Sequence, residues 1–578
     1  MRSLLSTAII LVLGLGLMSL SASATIHTVS NTAQLLSVTP QLQAGDTVLL
    51  APGVYTLTSQ QTWHLQNLKG SPNAWITFRS SRHARARIVG QTDLNKKIVE
   101  ISNCYFLRFE DLEITTTNQH AGVDIVWFPI GTQSADITFD RCYIHNASRD
   151  CIGSQATRLD RFTILNSELA FAENGIYLGY SSPLRLALFS VIRNCYIHHI
   201  GNGQLGYGIQ IKGGSYGALI ENNVLHDVGG TTRAAIAVYY ADANGNQPGS
   251  RWNRIRDNVI WNGRNEGIYA VNSCVIENNV LFDISKGIVI NSNGGKVVDN
   301  LFLRNNTVFR CTNYGFYLLD GNHYPGTCEV INNASLMENP QVWAFRAPSG
   351  LGQARVAGNA HYGALYGFPA QIQAKPPAQE FFAAPPGSGP GTIDLYPVAG
   401  STLVDNRNAN TALAARTDAN GTPRPFNLVP DIGAYEWIQV LNPGWAVNST
   451  FKPSLEPLTP PYQNTSFGQG ARADFQYKSK APAGSVVYLM LSAAGPSSGP
   501  PLPLIPDPFT QLLINPHFGP VLQNYVSMVP PGGMVAMQLR LPPVTVNQSL
   551  NLYHAAVVLS GQGAILETSN FVRLRIDP

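Results

Sequence analysis

One phrase recurs along the middle of the chain, and it constrains the fold more than any other feature. Ile220-Glu-Asn-Asn-Val-Leu-His-Asp-Val and Ile276-Glu-Asn-Asn-Val-Leu-Phe-Asp-Ile are nearly the same nine residues. Ile192-Arg-Asn-Cys-Tyr-Ile, Ile255-Arg-Asp-Asn-Val-Ile and Leu303-Arg-Asn-Asn-Thr-Val are variants. One position can be followed through Asp111, Cys142, Ser167, Cys195, Asn223, Asn258, Asn279, Asn306 and Asn333, a spacing of about 28 residues. That spacing lies in the window of stacked repeat architectures. A second short strand follows each phrase, opened by Gly122, Gly175, Gly208, Gly267, Gly287 or Gly315.

Strands of four or five residues with alternating apolar positions must bury one face. A single coil cannot do this, but coils stacked about 4.8 Å apart bury a continuous apolar column. Small polar residues at one recurring position suit a ladder in which side-chain amides bond the coils above and below. Helical repeats are poor competitors, because Asn, Gly, Ile and Val at these positions favour strands and turns. The repeat therefore predicts an all-β chain with a parallel β-helix spanning residues 101–364, and it predicts that Asn223, Asn258, Asn279, Asn306 and Asn333 stack.

Composition agrees. Of 578 residues only 13% are charged, while Gly (52) and Pro (38) are plentiful, which suits β-structure joined by tight turns. A net charge of +3 with no dense basic run gives no reason to expect nucleic acid. Arg2, the apolar stretch 4–20 and Ala22-Ser-Ala24 have the layout of a secretory signal peptide over residues 1–24. An uncleaved membrane anchor is the alternative. The expected product is a monomer, secreted or held in the periplasm or at the cell surface. The seven cysteines include no CxxC pair, so they read as small buried fillers.

Residues 25–100 read as an N-terminal cap and first coils, with Gly45-Asp-Thr-Val-Leu-Leu-Ala-Pro-Gly-Val-Tyr55 as strand, turn, strand. This phrase and the coils resemble the secreted right-handed parallel β-helix proteins, among them pectate-lyase-like and chondroitinase-B or alginate-lyase-like enzymes. Asp431-Ile-Gly-Ala-Tyr-Glu-Trp437, with Asp418-Ala-Asn-Gly-Thr-Pro-Arg-Pro425 upstream, resembles a terminal motif of bacterial β-helix proteins and reads as a rigid closing segment at the end of the stack. It falls within 365–440, which opens with an irregular loop. Residues 441–578 read as a proline-stiffened linker and a small C-terminal β-sandwich.

Strand alternation buries Ile209 and Ile211 and turns Gln210 and Lys212 outward. Aligning neighbouring coils on their glycine places Tyr177, Ala237, Tyr269 and Tyr317 in the column of Gln210, and Tyr239 beside Lys212. A lysine among tyrosines suits an acidic sugar, with ring faces for stacking and a cation for the carboxylate. The bland alternative is a solvated lysine and loop-covered tyrosines. In the lyases that the chain resembles, a lysine on such a strand is the base and an arginine one coil later completes the pair. The resemblance thus implies Lys212 as the catalytic residue; alternation adds Tyr177, Gln210, Tyr239 and Tyr269, and the strand entrances Arg233 and Glu266, as substrate-binding candidates. Two departures stand out. Arg233 precedes Ala235, whereas Lys212 follows Gly208, and six residues of strand amount to about 20 Å. The resemblance would also allow Ca2+ on oxygen ligands, yet Leu205 and Gly206 occupy the places where acidic ligands are expected; the metal set is left unknown. The sequence thus points to a polysaccharide partner, acidic by the resemblance, bound and cleaved or epimerised; a non-catalytic surface or adhesive β-helix is the alternative.

Overall fold

The doubled asparagine folds as a corner plus a rung. In the computed structural model Asn278 takes φ 56°, a left-handed conformation that asparagine tolerates better than most residues. This swings the chain from one sheet to the next and turns Asn279 inward. Asn194, Asn222, Asp257, Asn305 and Asn332 make the same corner, with φ between 52° and 57°.

The structure describes residues 24–437 except 60, 82–84, 92–96, 118–121, 155–156, 181–185, 202–204, 243–246, 320–326, 384–392, 399, 420–423 and 426–428, together with strands between 472 and 576. The expected signal peptide lies outside the described residues, and so do residues 438–471, where the linker is expected.

The chain is a right-handed parallel β-helix. Its coils build three parallel sheets of 15, 13 and 12 strands. The first runs from Ile26–Val29 to Arg355–Ala357, the second from Gly53–Leu57 to Ile372–Gln373, and the third from Trp63–Gln66 to Ala364–Tyr366. The asparagine ladder forms as expected. Asn223 Nδ2 donates to Asn258 Oδ1 (3.0 Å), and Asn258, Asn279 and Asn306 donate likewise to Asn279, Asn306 and Asn333 at 2.9 Å each. Asn333 extends the ladder to Asn359 at 3.0 Å, a rung absent from the repeat reading. Asp111 is a correction. It occupies the corner (φ 57°) and binds Arg141; because Tyr143 pairs with Glu113, the interior position of that coil is Leu112.

Inside, Ile176, Ile209, Ile236, Ile268 and Ile288 succeed one another in the third sheet, all fully buried. In the first sheet Phe78, Phe109 and Phe139 stack at centroid distances of 5.2 and 4.5 Å. The two expected cap strands form at Thr47–Leu50 and Gly53–Leu57. A helix, Thr32–Val38, precedes them, and its Leu35 joins the core at the open end. All seven cysteines are buried and unpaired; burial pushes the Cys104 thiol up to about 11 and Cys142 to about 12.

The closing segment does not sit over the end of the stack. It runs back along the flank, because the outer face of the second sheet is apolar in the later coils. Leu403, Ile432, Ala434 and Tyr435 pack on Val280, Phe282, Phe309 and Leu336. The corner asparagines hold it: Asn278 Nδ2 donates to the Thr417 carbonyl (2.7 Å), Asn305 to Asp431 (3.0 Å) and Asn332 to Asn410 (2.9 Å). Each of these three asparagine pairs therefore has two jobs, one bonding coil to coil and the other coil to flank.

Beyond residue 471 the described strands pair antiparallel in two sheets. One joins Arg472–Lys478, Met534–Arg540 and Leu522–Gln523; the other is built around Leu550–Leu559 and Val486–Ser492. Among the described residues no helix is long and apolar enough to cross a membrane.

Candidate functional site

The site lies on the outer face of the third sheet. Strand register aligns Tyr177 with Gln210, Gln210 with Ala237 and Ala237 with Tyr269, the column that alternation predicts. Lys212 follows its strand directly, with its N–H on the Leu178 carbonyl, while the Tyr239 N–H bonds the Ile211 carbonyl. The lysine Nζ lies 5.2 Å from the centre of the Tyr177 ring and 5.4 Å from that of Tyr239. No carboxylate pairs with it among the described residues. Burial, and then the charge of Arg233, hold the ammonium below the ordinary lysine range.

Tyr207 completes the cluster and was not read from the sequence. Its hydroxyl lies 3.1 Å from that of Tyr239, and its ring meets Tyr177 edge-on at 6.4 Å. Simple alternation turns residue 207 inward, as it does Ile209. The parity breaks at Gly208, where an added Cβ would lie 2.6 Å from the Ala235 carbonyl oxygen and 2.7 Å from Val228 Cγ1. Only glycine fits that approach, and Tyr207, ahead of the strand that begins at Ile209, packs on the outer face with Ala237, Tyr177 and Tyr239. Burial first, and Tyr239 second, keep the Tyr207 phenol protonated far above the ordinary tyrosine range. Tyr177 is raised as well, by burial and then by Asp150.

The reading of Arg233 is corrected as well. Its guanidinium lies over the Tyr207 ring, 5.6 Å from the centre, and its charge reaches Lys212 and Tyr177. The arithmetic that separated arginine from lysine assumed strand from residue 233 onward, whereas that coil's strand begins at Ile236 and residues 231–235 form a turn and bend. Tyr269 stands at the edge of the group, 5.4 Å from Tyr239. Glu266 is otherwise engaged: it pairs with Lys286 at 3.2 Å and accepts from Asn265 Nδ2 at 2.7 Å.

Gln210 is the chemically unusual member. It is fully buried, and neither its Oε1 nor its Nε2 has a hydrogen-bond partner among the described residues. Buried amides are normally satisfied. This one lies in the column between Tyr177 and Ala237, directly beneath the aromatic face. Together the group offers a cation of lowered basicity, a second cation, paired phenols and an idle amide. Leu205 and Gly206 carry no side-chain oxygen. Among the described residues no cluster of three or more His, Cys, Asp or Glu side chains could hold a metal ion.

Coils, ladder and outward aromatic face define the class: a right-handed parallel β-helix protein. The family model for the right handed beta helix region matches residues 151–335, the stretch that carries Lys212 and its neighbours. Solved structures with similarity include an alginate lyase from Paenibacillus sp. (16% identity, 60% of this chain and 99% of that one, TM-score 0.35). A pectate lyase, Pel9A, matches at 13% identity over 72% of this chain and 97% of its own, with a TM-score of 0.38. The A-module of a mannuronan C-5 epimerase from Azotobacter vinelandii matches at 13% over 60% and 94%, with a TM-score of 0.36. Likeness at this level assigns neither substrate nor activity to the chain. No curated protein sequence matches it.

Proposed function

We propose that the chain is a secreted protein that binds an acidic polysaccharide on the outer face of the third sheet and acts on it by lyase or epimerase chemistry. The observation that carries this reading is Lys212: a lysine flanked by two tyrosine rings, without an acidic partner among the described residues, and lowered in basicity by burial and Arg233. Both reactions begin with removal of the proton α to a uronate carboxylate, which needs a base in reach and a positive charge on the carboxylate. Lys212 Nζ takes the proton. Arg233 meets the carboxylate, since the residues at the place for a calcium, Leu205 and Gly206, offer no oxygen ligand. In elimination the electron pair forms the ring double bond as the glycosidic C–O bond breaks. A phenol of the Tyr207–Tyr239 pair then protonates the leaving oxygen, a role that fits a group kept protonated.

The test is incubation of the full chain with a panel of uronate polymers. Ultraviolet absorbance reports unsaturated ends, and solvent deuterium incorporation reports epimerisation. Lys212→Ala should abolish both signals while leaving most binding. If turnover survives that substitution, Lys212 is not the base. If no uronate polymer is bound or altered, the reading fails as a whole.

A further inference from the structure

A separate cleft opens on another side of the coils, between the outer face of the first sheet and residues 411–417 of the closing segment. Its volume is about 750 Å3, within the roughly 300–1,000 Å3 range of small-ligand clefts. We infer that this cleft is a second binding site, for an anionic saccharide unit, distinct from the Lys212 face.

The charge on its walls is unbalanced. Arg254, Arg256 and Arg304 project from the first sheet and Arg416 from the closing segment, while Glu277 is the one acid among the lining residues. Arg256 does pair, with Glu221 at 2.6 Å and Asp257 at 3.8 Å, but Glu221 is shared with Arg193. Arg304 pairs with Glu329 at 2.6 Å, and Glu329 is shared with Arg355 at 3.4 Å. Each of these glutamates answers two guanidiniums. Arg254 and Arg416 are exposed and form no ion pair among the described residues. Arg424 also borders the cleft, but Glu436 neutralises it at 2.6 Å.

Aromatic surface lies beside these charges. Trp252 and Phe302 line the same cleft and stack with centroids 4.8 Å apart, and the indole N–H is tied to the Gln247 carbonyl at 2.7 Å. A guanidinium fork matches a carboxylate or sulfate in a planar, two-bond contact. An aromatic face accepts the C–H surface of a sugar ring. The two together fit an acidic sugar better than a bare inorganic anion, which would make no use of the rings. Holding one polymer at two places raises avidity without any new contact at either. The inference takes only its ligand class from the proposed function, because the cleft and its charges stand independently of Lys212.

The test uses the full chain carrying Lys212→Ala and Arg233→Ala, which removes both cations of the Lys212 face, so that the two sites are read apart. Calorimetric titration of this double variant with a uronate trisaccharide should still show one class of binding. Adding Arg254→Ala and Arg416→Ala together should weaken that binding about tenfold or more, with the thermal midpoint unchanged because both residues are exposed. A carboxyl-reduced, neutral trisaccharide should bind the double variant weakly. The inference is overturned if the four-fold variant binds as well as the double variant, or if the neutral trisaccharide binds equally well. It is overturned too if the double variant binds no trisaccharide; that outcome would leave the Lys212 face as the sole site.

Discussion

Asn279 Nδ2 donates to Asn306 Oδ1 one coil further on (2.9 Å) and also to the Ile255 carbonyl one coil back (2.9 Å), so one side chain ties three successive coils. The Asn258 N–H and its side-chain amide both rest on Asn279 Oδ1. Replacing Asn279 by Leu leaves buried donors and acceptors on both sides without partners, at about 1–3 kcal/mol for each group that finds no substitute. Urea unfolding should show a clear loss of stability. Asn359→Leu, at the end of the ladder, should cost less, since no asparagine rung follows it.

The closing segment is pinned by a buried ion pair. Arg424 Nη1 lies 2.6 Å from Glu436 Oε1, with the two side chains 0% and 1% exposed. The guanidinium also donates to the carbonyls of Asp431 (3.0 Å) and Gly433 (2.8 Å). Arg424→Met strands the carboxylate in a dry site, a change that typically costs about 3–5 kcal/mol. The expected outcome is a lower thermal midpoint and early protease cleavage between residues 400 and 437. If the variant resists protease as the parent does, the segment is held by its apolar contacts alone.

These two features differ in how far they could be read from the sequence. The ladder is legible because a buried amide must recur once per coil, and Asn223 to Asn333 do so. Asn359 escapes because its phrase, Ala357-Gly-Asn-Ala-His, has Gly358 (φ 67°) at the corner where its predecessors have Asn or Asp. The course of residues 400–437 is set by complementarity between apolar surfaces far apart in sequence, which bring Tyr435 and Phe309 into one buried cluster, and no local pattern encodes that. At the site, alternation correctly gives the column of Tyr177, Gln210, Ala237 and Tyr269. It fails at Tyr207 and Arg233, because both precede their strands, which begin at Ile209 and Ile236, and a strand rule does not apply there.

On the outer face of the second sheet, Tyr196 OH and His226 Nε2 lie 2.5 Å apart, and His226 Nδ1 lies 2.6 Å from Asp227 Oδ2. Burial pushes the His226 imidazole down to about 4 despite Asp227. Between pH 6.5 and 4 the unfolded chain therefore takes up a proton there that the folded chain refuses. The stability this histidine supports is fully present above pH 6.5 and is lost as pH falls toward 4. The stability difference between the parent and His226→Gln should shrink over that window. The His226 ring resonances should stay in their neutral positions down to pH 5, and a midpoint near 6.5 would show the ring to be solvated.

Arg233 has a separate signature at the candidate face. Its charge is one of two causes that hold the Lys212 ammonium below the usual range, burial being the larger. Removing it by Arg233→Ala raises the lysine pKa, and a base must lose its proton before it acts. The acidic limb of kcat/KM should move to higher pH, in addition to any loss of carboxylate binding. Arg233→Lys keeps the charge and should leave that limb in place while losing the planar fork. A limb that stays put in Arg233→Ala would mean the two cations do not sense each other.

Gln210 sets stability against binding. Its amide is fully buried and unpartnered among the described residues, and such a group costs the folded chain about 1–3 kcal/mol in lost hydration. Leucine at this position has nearly the same volume and no polar atom, so Gln210→Leu should raise the unfolding free energy of the free protein. If the idle amide is instead what meets a sugar hydroxyl, the same substitution should weaken uronate binding, because the hydroxyl is then desolvated without a partner. A gain in stability joined to a loss of affinity is the expected pair, read by urea unfolding and by calorimetry on one preparation. Gln210→Leu that is more stable and binds undiminished would make the amide a packing fault rather than part of the site. A variant that is less stable would show that the amide is satisfied in solution.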